Sequence, residues 1–263
     1  MDKRPIGLFD SGVGGLSVLK KLIELLPNEE FIYLGDTKNF PYGNKSKESI
    51  IDLSRKNVNF LISKNVKMII IACGTATSQS LDILKKEYSI PIIGIIDPTI
   101  KYLTKTHTKK ETIGIIATSG TIKSGVWENK IKEKLSDVSI INEKAPLLAI
   151  MAEEGWTNNK VAEYTIKEYM KNFTNIDRLI LGCTHYPIFE RLIKKELPNN
   201  VEIINTGNTV SIYVKKYLED HNLSNDNSNK DFIIYLTDNE ENFKEVSEIF
   251  LDKKIDNNHF KVV

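Results

Sequence analysis

The chain is poor in cysteine: among 263 residues there are only Cys73 and Cys183. That excludes a disulfide framework. The absence of a Cys-x-x-Cys pair also removes the usual redox motif and the repeated spacing of a zinc module. Net charge is equally scarce, because 36 basic side chains nearly cancel 35 acidic ones and leave +1. The lysines are spread over the outer faces of predicted helices, not clustered among aromatics, so no nucleic-acid groove is expected. No apolar run is long enough to span a bilayer. The opening Met1-Asp2-Lys3-Arg4-Pro5 leads straight into a strand without a signal-peptide core, so the expectation is a cytoplasmic protein with free thiols and no membrane partner. The glycine-rich turn Asp10–Gly15 has neither dinucleotide spacing nor the Lys-Ser/Thr of a phosphate loop. No lysine sits in a recognisable pyridoxal phosphate context. Neither metal nor cofactor is expected.

What is present is a core, with 41% hydrophobic residues, and an alternation of short apolar runs with helical patterns. Strands are predicted at Ile6–Phe9, Phe31–Leu34, Val66–Ala72 and Pro91–Ile96. Helices are predicted from about Leu16 to Leu26, Lys47 to Ser63, and onward from Cys73 to about Tyr88. A second series follows: strands at Thr112–Ala117, Val138–Asn142, Arg178–Gly182 and Val201–Ile204. Its helices run from Thr121 to about Leu135, near Pro146–Glu154 and Asn158–Asn172, at Ile188–Glu196, and from Gly207 to about Asp220. His221–Lys230 reads as a loop. Phe232–Leu236, a helix from about Glu240 to Leu251, and Phe260–Val263 complete the chain. The pattern predicts an α/β protein with mainly parallel sheets and flanking helices.

The two series resemble each other. Ile6-Gly7-Leu8-Phe9-Asp10-Ser11-Gly12 aligns with Ile113-Gly114-Ile115-Ile116-Ala117-Thr118-Ser119-Gly120, at an offset of 107, and the cysteines are 110 apart. Two pseudo-symmetric lobes are therefore expected, residues 1–97 with 209–263 and residues 98–208. Their strand ends would carry both cysteines into one crevice, where open α/β sheets bind ligands.

A buried cysteine is ordinarily inert packing. Here each ends an apolar run beside glycine and hydroxyl residues, where free N–H groups can stabilise a thiolate. A cysteine hydrolase needs one thiol and one histidine and leaves the second cysteine unused. Two matched thiols on opposite walls suit removal of a proton from one face of a carbon and delivery of a proton to the other. A free thiol has a pKa of about 8.5, so each needs a tuning neighbour: His185 for Cys183, and Asp10 for Cys73. His185 is equally readable as a core or capping histidine, and Asp10 as a helix cap. Ser11, Thr75, Thr121 and Thr184 add donors at equivalent strand ends. The Asp10–Gly15 turn is a candidate anion site at a helix start, for a carboxylate rather than a nucleotide.

Phe9-Asp10-Ser11-Gly12-Val13-Gly14-Gly15-Leu16, Gly35-Asp36-Thr37, Pro41-Tyr42-Gly43, Ala72-Cys73-x-Thr75-Ala76 and Gly182-Cys183-Thr184-His185-Tyr186-Pro187 occur in order. Together they resemble the bacterial glutamate racemases, the Pro-Tyr-Gly segment favouring these over aspartate racemases. The resemblance implies a cofactor-independent, usually dimeric enzyme interconverting L- and D-glutamate for peptidoglycan synthesis. It implies that Cys73 and Cys183 are the acid/base pair, Cys73 acting on D-glutamate and Cys183 on L-glutamate, assisted by Asp10 and His185. It further implies that Asp10, Ser11, Tyr42, Gly43, Thr75, Thr184 and His185 line the substrate pocket, with Glu153 supporting the second half-site. One departure stands out. The family usually reads Cys-Asn-Thr where this chain has Cys73-Gly74-Thr75. Gly74 offers only its backbone N–H, which removes one substrate hydrogen bond worth about 1 kcal/mol and leaves space for water or another side chain. The N-terminal extension of members activated by a cell-wall precursor is not seen, so that regulation is not expected. Alternatives from the same reading are an aspartate or other acidic amino-acid racemase, and a carboxylate-binding or inhibitory protein that kept the fold without catalysis.

Overall fold

A computed structural model describes residues 2–108, 110–226, 231–238 and 242–263. The first unit runs β1 (Ile6–Asp10), α1 (Leu16–Leu25), β2 (Phe31–Gly35), α2 (Lys47–Ser63), β3 (Met68–Ile71), α3 (Gly74–Glu87) and β4 (Ile92–Gly94). Next come α4 (Ile96–Thr106), β5 (Thr112–Ala117), α5 (Ser119–Lys123), α6 (Val126–Lys134), β6 (Ser139–Lys144), α7 (Pro146–Glu153) and α8 (Lys160–Met170). The chain continues through β7 (Arg178–Leu181), α9 (Glu190–Glu196), β8 (Glu202–Asn205), α10 (Thr206–Asp220), β9 (Phe232–Leu236), α11 (Phe243–Leu251) and β10 (Phe260–Val262).

Two sheets form, and every strand pair in them is parallel. The first has the order β10-β9-β2-β1-β3-β4 and the second β6-β5-β7-β8. Without the two C-terminal strands the first sheet reads β2-β1-β3-β4, which is the order of the second, and this is the pseudo-symmetry. In each sheet the chain leaves its central strand to one side and returns on the other. The crevice at that reversal lies beyond the carboxyl ends of β1 and β3 in one sheet, and of β5 and β7 in the other. A continuous buried core runs from the α1 side of the first sheet, past α4 and α10, to both faces of the second sheet. A smaller one lies between the first sheet and α2 and α3.

Several elements differ from the sequence expectation. Residues 97–111 carry no predicted element, yet α4 fills most of that span, burying Ile96, Ile100 and Leu103. Its proline, Pro98, lies in the first turn, where no N–H is required. The single helix predicted to about Leu135 is two, because Gly125 takes a left-handed φ of 67° between α5 and α6, a conformation cheap only for glycine. The helix predicted from Ile188 begins as a 3-10 turn at Tyr186–Phe189 and becomes α9 at Glu190. The predicted start of the last helix at Glu240 and the end of the predicted loop, residues 227–230, lie outside the described residues. No described helix is long and apolar enough to cross a membrane.

Lys67 departs from the outer-face placement expected of lysines. Its side chain is fully buried, and Nζ donates to Glu29 Oε2 at 2.5 Å and to the carbonyls of Asp2 and Leu223. Glu29 in turn accepts from the Asn225 N–H at 2.8 Å. This ion pair ties the N-terminal segment and residues 223–225 to the end of the first sheet remote from the cysteines.

Candidate active site

Cys73 follows β3 and caps α3, its sulfur accepting from the Ala76 N–H at 3.4 Å. Cys183 follows β7 by way of Gly182. Both are free and buried, and both line one cavity of about 30 Å³ between the two sheets. Ser11, Tyr42, Gly43, Gly74, Thr75, Thr121, Thr184 and His185 line it too. The structure also brings Phe40, Thr118 and Ile150 to its wall, which the sequence reading does not single out. Thr118 was legible as the counterpart of Ser11 in the internal repeat. Ile150 comes from α7, whose place over the cleft is a tertiary matter.

On the Cys183 wall, His185 Nδ1 lies 3.5 Å from the sulfur, and Nε2 lies 2.6 Å from Glu153 Oε1. Burial opposes a charge on this ring, but the hydrogen bonds with Cys183 and Glu153 outweigh it and raise its pKa well above the ordinary histidine value. An imidazolium there is the counter-charge a Cys183 thiolate needs. Phe40 and Phe250 of α11 stand beside the ring, with centroids 5.7 and 6.3 Å away.

On the other wall, the Cys73 thiol faces Ser11 Oγ at 3.9 Å. Burial and the nearby Asp10 carboxyl push its pKa well above the ordinary thiol range, so it rests protonated. Asp10, assigned to Cys73 from the sequence, spends its hydrogen bonds elsewhere. Oδ1 accepts from the Gly12 N–H at 3.1 Å, and Oδ2 accepts from Thr184 Oγ1 at 3.1 Å across the cleft. Burial raises the Asp10 carboxyl, and the charge of His185 only partly offsets it. Asp10 therefore acts on Cys73 through its charge and links the first wall to the residue after Cys183.

Within the Asp10–Gly15 turn, Ser11 faces the cavity, while the Gly12 N–H at the helix start is already taken by Asp10. Glu153 Oε1 already accepts the Val13 N–H at 2.8 Å. A Cβ on Gly12 would stand 2.0 Å from that oxygen, and one on Gly14 would stand 2.5 Å from His185 Nδ1. These glycines make room for the opposite wall's own carboxylate and imidazole, and the residue of the turn that lines the cavity is Ser11.

Gly35-Asp36-Thr37, read from the sequence only as a motif, anchors the loop that carries Tyr42 and Gly43. Asp36 accepts from the Tyr42 hydroxyl, from Asn39 Nδ2 at 2.9 Å and from Thr237 Oγ1 at 2.8 Å. Asn57 Nδ2 donates to the same Tyr42 oxygen. The space expected beside Gly74 is also filled: the Gly182 carbonyl of the other wall occupies it.

Residues 6–210 match the Asp/Glu/Hydantoin racemase family. The chain belongs to that family. Among its relatives, the glutamate racemase of Persephonella marina is 39% identical over 95% of this chain and 94% of its own length. The glutamate racemase of Lactococcus lactis subsp. cremoris is 40% identical over 96% and 93%. The crystal structure of glutamate racemase from Francisella tularensis, in complex with D-glutamate, superposes with a TM-score of 0.91 at 36% identity, covering 100% of this chain and 98% of that one. Members of the family are racemases, and the two-sheet α/β architecture is shared with these enzymes.

Proposed function

We propose that the protein interconverts L- and D-glutamate with Cys73 and Cys183 as the two acid/base groups. The observation that carries this is the meeting of two cysteine-bearing strand ends at one cavity, one sulfur paired with His185, which Glu153 holds from its other nitrogen, and the other held as a thiol near Asp10. The relatives named above, all glutamate racemases, support the substrate. We assign residues 1–97 with 209–263 to one lobe and 98–208 to the other, each contributing one half-site.

With L-glutamate bound, the Cys183 thiolate takes the α-proton, breaking the C–H bond and leaving its electron pair on the α-carbon. The Cys73 thiol delivers its proton to the opposite face, and D-glutamate results. The enzyme is then Cys183 thiol and Cys73 thiolate, the form that accepts D-glutamate, and proton exchange with solvent resets it. Ser11, Thr75, Thr121 and Thr184, with the N–H groups at the strand ends and the Gly43 and Gly74 backbone, hold the two carboxylates. Donors at the α-carboxylate stabilise the developing carbanion. His185, fixed by Glu153, balances the Cys183 thiolate, and Asp10 influences Cys73 through its charge. The reading extends to a cytoplasmic homodimer supplying D-glutamate for peptidoglycan synthesis, on the strength of the family resemblance.

The test is incubation of the purified, reduced protein with L-glutamate in D₂O, with L-aspartate in parallel, following circular dichroism and α-deuterium together. Loss of optical activity with deuterium entering the product is the expected result. Cys73→Ser and Cys183→Ser should each lower turnover by about 10²–10⁴-fold while still binding glutamate by calorimetry. Wild-type turnover in either variant would refute the two-thiol mechanism. Activity on aspartate alone would move the substrate, and no exchange with either would overturn the reading.

A further inference from the structure

The two cysteines are each one residue from a contact between the opposing walls. Gly74 follows Cys73, Gly182 precedes Cys183, and a Cβ built on Gly74 would stand 2.3 Å from the Gly182 carbonyl oxygen, with Ile95 Cδ1 at 3.5 Å beside it. Gly182 has no slack. Its N–H donates to the Ile116 carbonyl at 2.8 Å, and its own Cβ position is hemmed by Ala117 and Trp127. Gly74 is held as firmly, in the first turn of α3, where the Ala76 N–H reaches the Cys73 sulfur and the Thr77 N–H reaches the Cys73 carbonyl at 2.9 Å. Its φ is not left-handed, and alanine is a better helix former than glycine. The demand for glycine at this position is therefore steric, and it comes from across the cleft. A second such contact lies elsewhere on the cavity wall, where a Cβ on Gly120 would stand 2.8 Å from the Gly43 carbonyl oxygen.

We propose that Gly74 is a positioning residue: its missing side chain lets the β3–α3 turn seat against the Gly182 carbonyl, and this contact sets the separation at which Cys73 and Cys183 face a single substrate carbon. The proposal rests on the racemase reading. A Cβ at residue 74 forces the walls apart by most of an ångström, since such contacts essentially never fall under 3.0 Å. Each thiol keeps its own neighbours and its reach to its own face of the carbon. What is lost is the transfer across the carbon, in which one sulfur takes a proton while the other delivers one.

This distinction gives a readout that general damage to the site does not move. Wild type, Gly74→Ala and Gly74→Asn are given L-glutamate in D₂O, and deuterium is followed separately in remaining substrate and in product. In the wild type, deuterium enters with inversion. In Gly74→Ala, kcat falls by about 10–100-fold with a smaller change in KM. Deuterium then enters unreacted L-glutamate faster than D-glutamate forms, because the Cys183 thiol exchanges its captured proton for a solvent deuteron and returns it to the same face. Melting temperature and far-ultraviolet circular dichroism check the fold.

An unchanged ratio of exchange to inversion in folded Gly74→Ala overturns the proposal, whether turnover is retained or both processes fall together. Gly74→Asn turning over faster than wild type also overturns it, since a missing side-chain hydrogen bond would then be the limiting feature. If Gly74→Ala does not fold, Gly120→Ala decides at the second contact, where the raised ratio is expected and an unchanged one refutes. A wild type inert toward glutamate and aspartate refutes the racemase reading itself, which is a different failure.

Discussion

A histidine held between a sulfur and a carboxylate keeps its proton to higher pH than a free one. For His185, burial works against the charge and the partners Cys183 and Glu153 prevail. The stability this charge contributes is fully present below the ordinary histidine pKa of about 6.5 and is lost as pH rises through the raised folded value. Glu153→Gln removes one of the two partners that raise it. The ring is expected to lose its proton at lower pH than in the wild type, and turnover from L-glutamate should fall away at correspondingly lower pH. Histidine ring NMR across a pH series measures this, and an unchanged His185 titration would mean that Glu153 does not hold the proton on the ring. Glu153 reaches the ring only because Gly12 lacks a side chain.

At the scale of elements, the segment leading into β3 does two separate jobs at its two ends. Cys73 lies beyond the carboxyl end at the cleft, while Lys67 precedes the strand and is buried against Glu29. Removing one partner of a buried ion pair leaves the other uncompensated, which costs about 3–5 kcal/mol. Lys67→Ala should therefore lower the stability measured by urea unfolding by that amount, and Lys67→Met with Glu29→Leu should recover much of it. Turnover of the folded fraction should be near wild type, because this pair is remote from the cysteines. A loss of turnover without a loss of stability would contradict that separation. The helix α4 shows a different aspect of reading elements: its apolar spacing at 96, 100 and 103 is helical, but Ile96 directly continues the run of β4, so a reading by runs assigns it to the strand.

Taken whole, the molecule is two sheets of one order, with the larger extended by β9 and β10. These strands cover the edge of β2, which is buried along its length, and Thr237 beyond β9 anchors Asp36 and so the loop bearing Tyr42. The tail also brings Phe250 beside His185. A chain ending at Asp220 is expected to expose an apolar parallel edge, aggregate on gel filtration and lose racemase turnover. A monodisperse, active truncation would show the tail to be dispensable.

The α/β class, the parallel pairing, the internal repeat and the candidate cysteines were all readable from the sequence. Each depends on local periodicity or on residues at strand ends, and these are recorded in order along the chain. Tertiary structure alone decided that Asp10 bonds Thr184 and not Cys73, that Glu153 occupies the turn at Gly12, that Asp36 reaches Thr237, and that Gly74 meets the Gly182 carbonyl. These contacts join residues roughly 110 to 200 positions apart. Their geometry depends on how the two sheets close on each other, and no local pattern in the sequence encodes that distance.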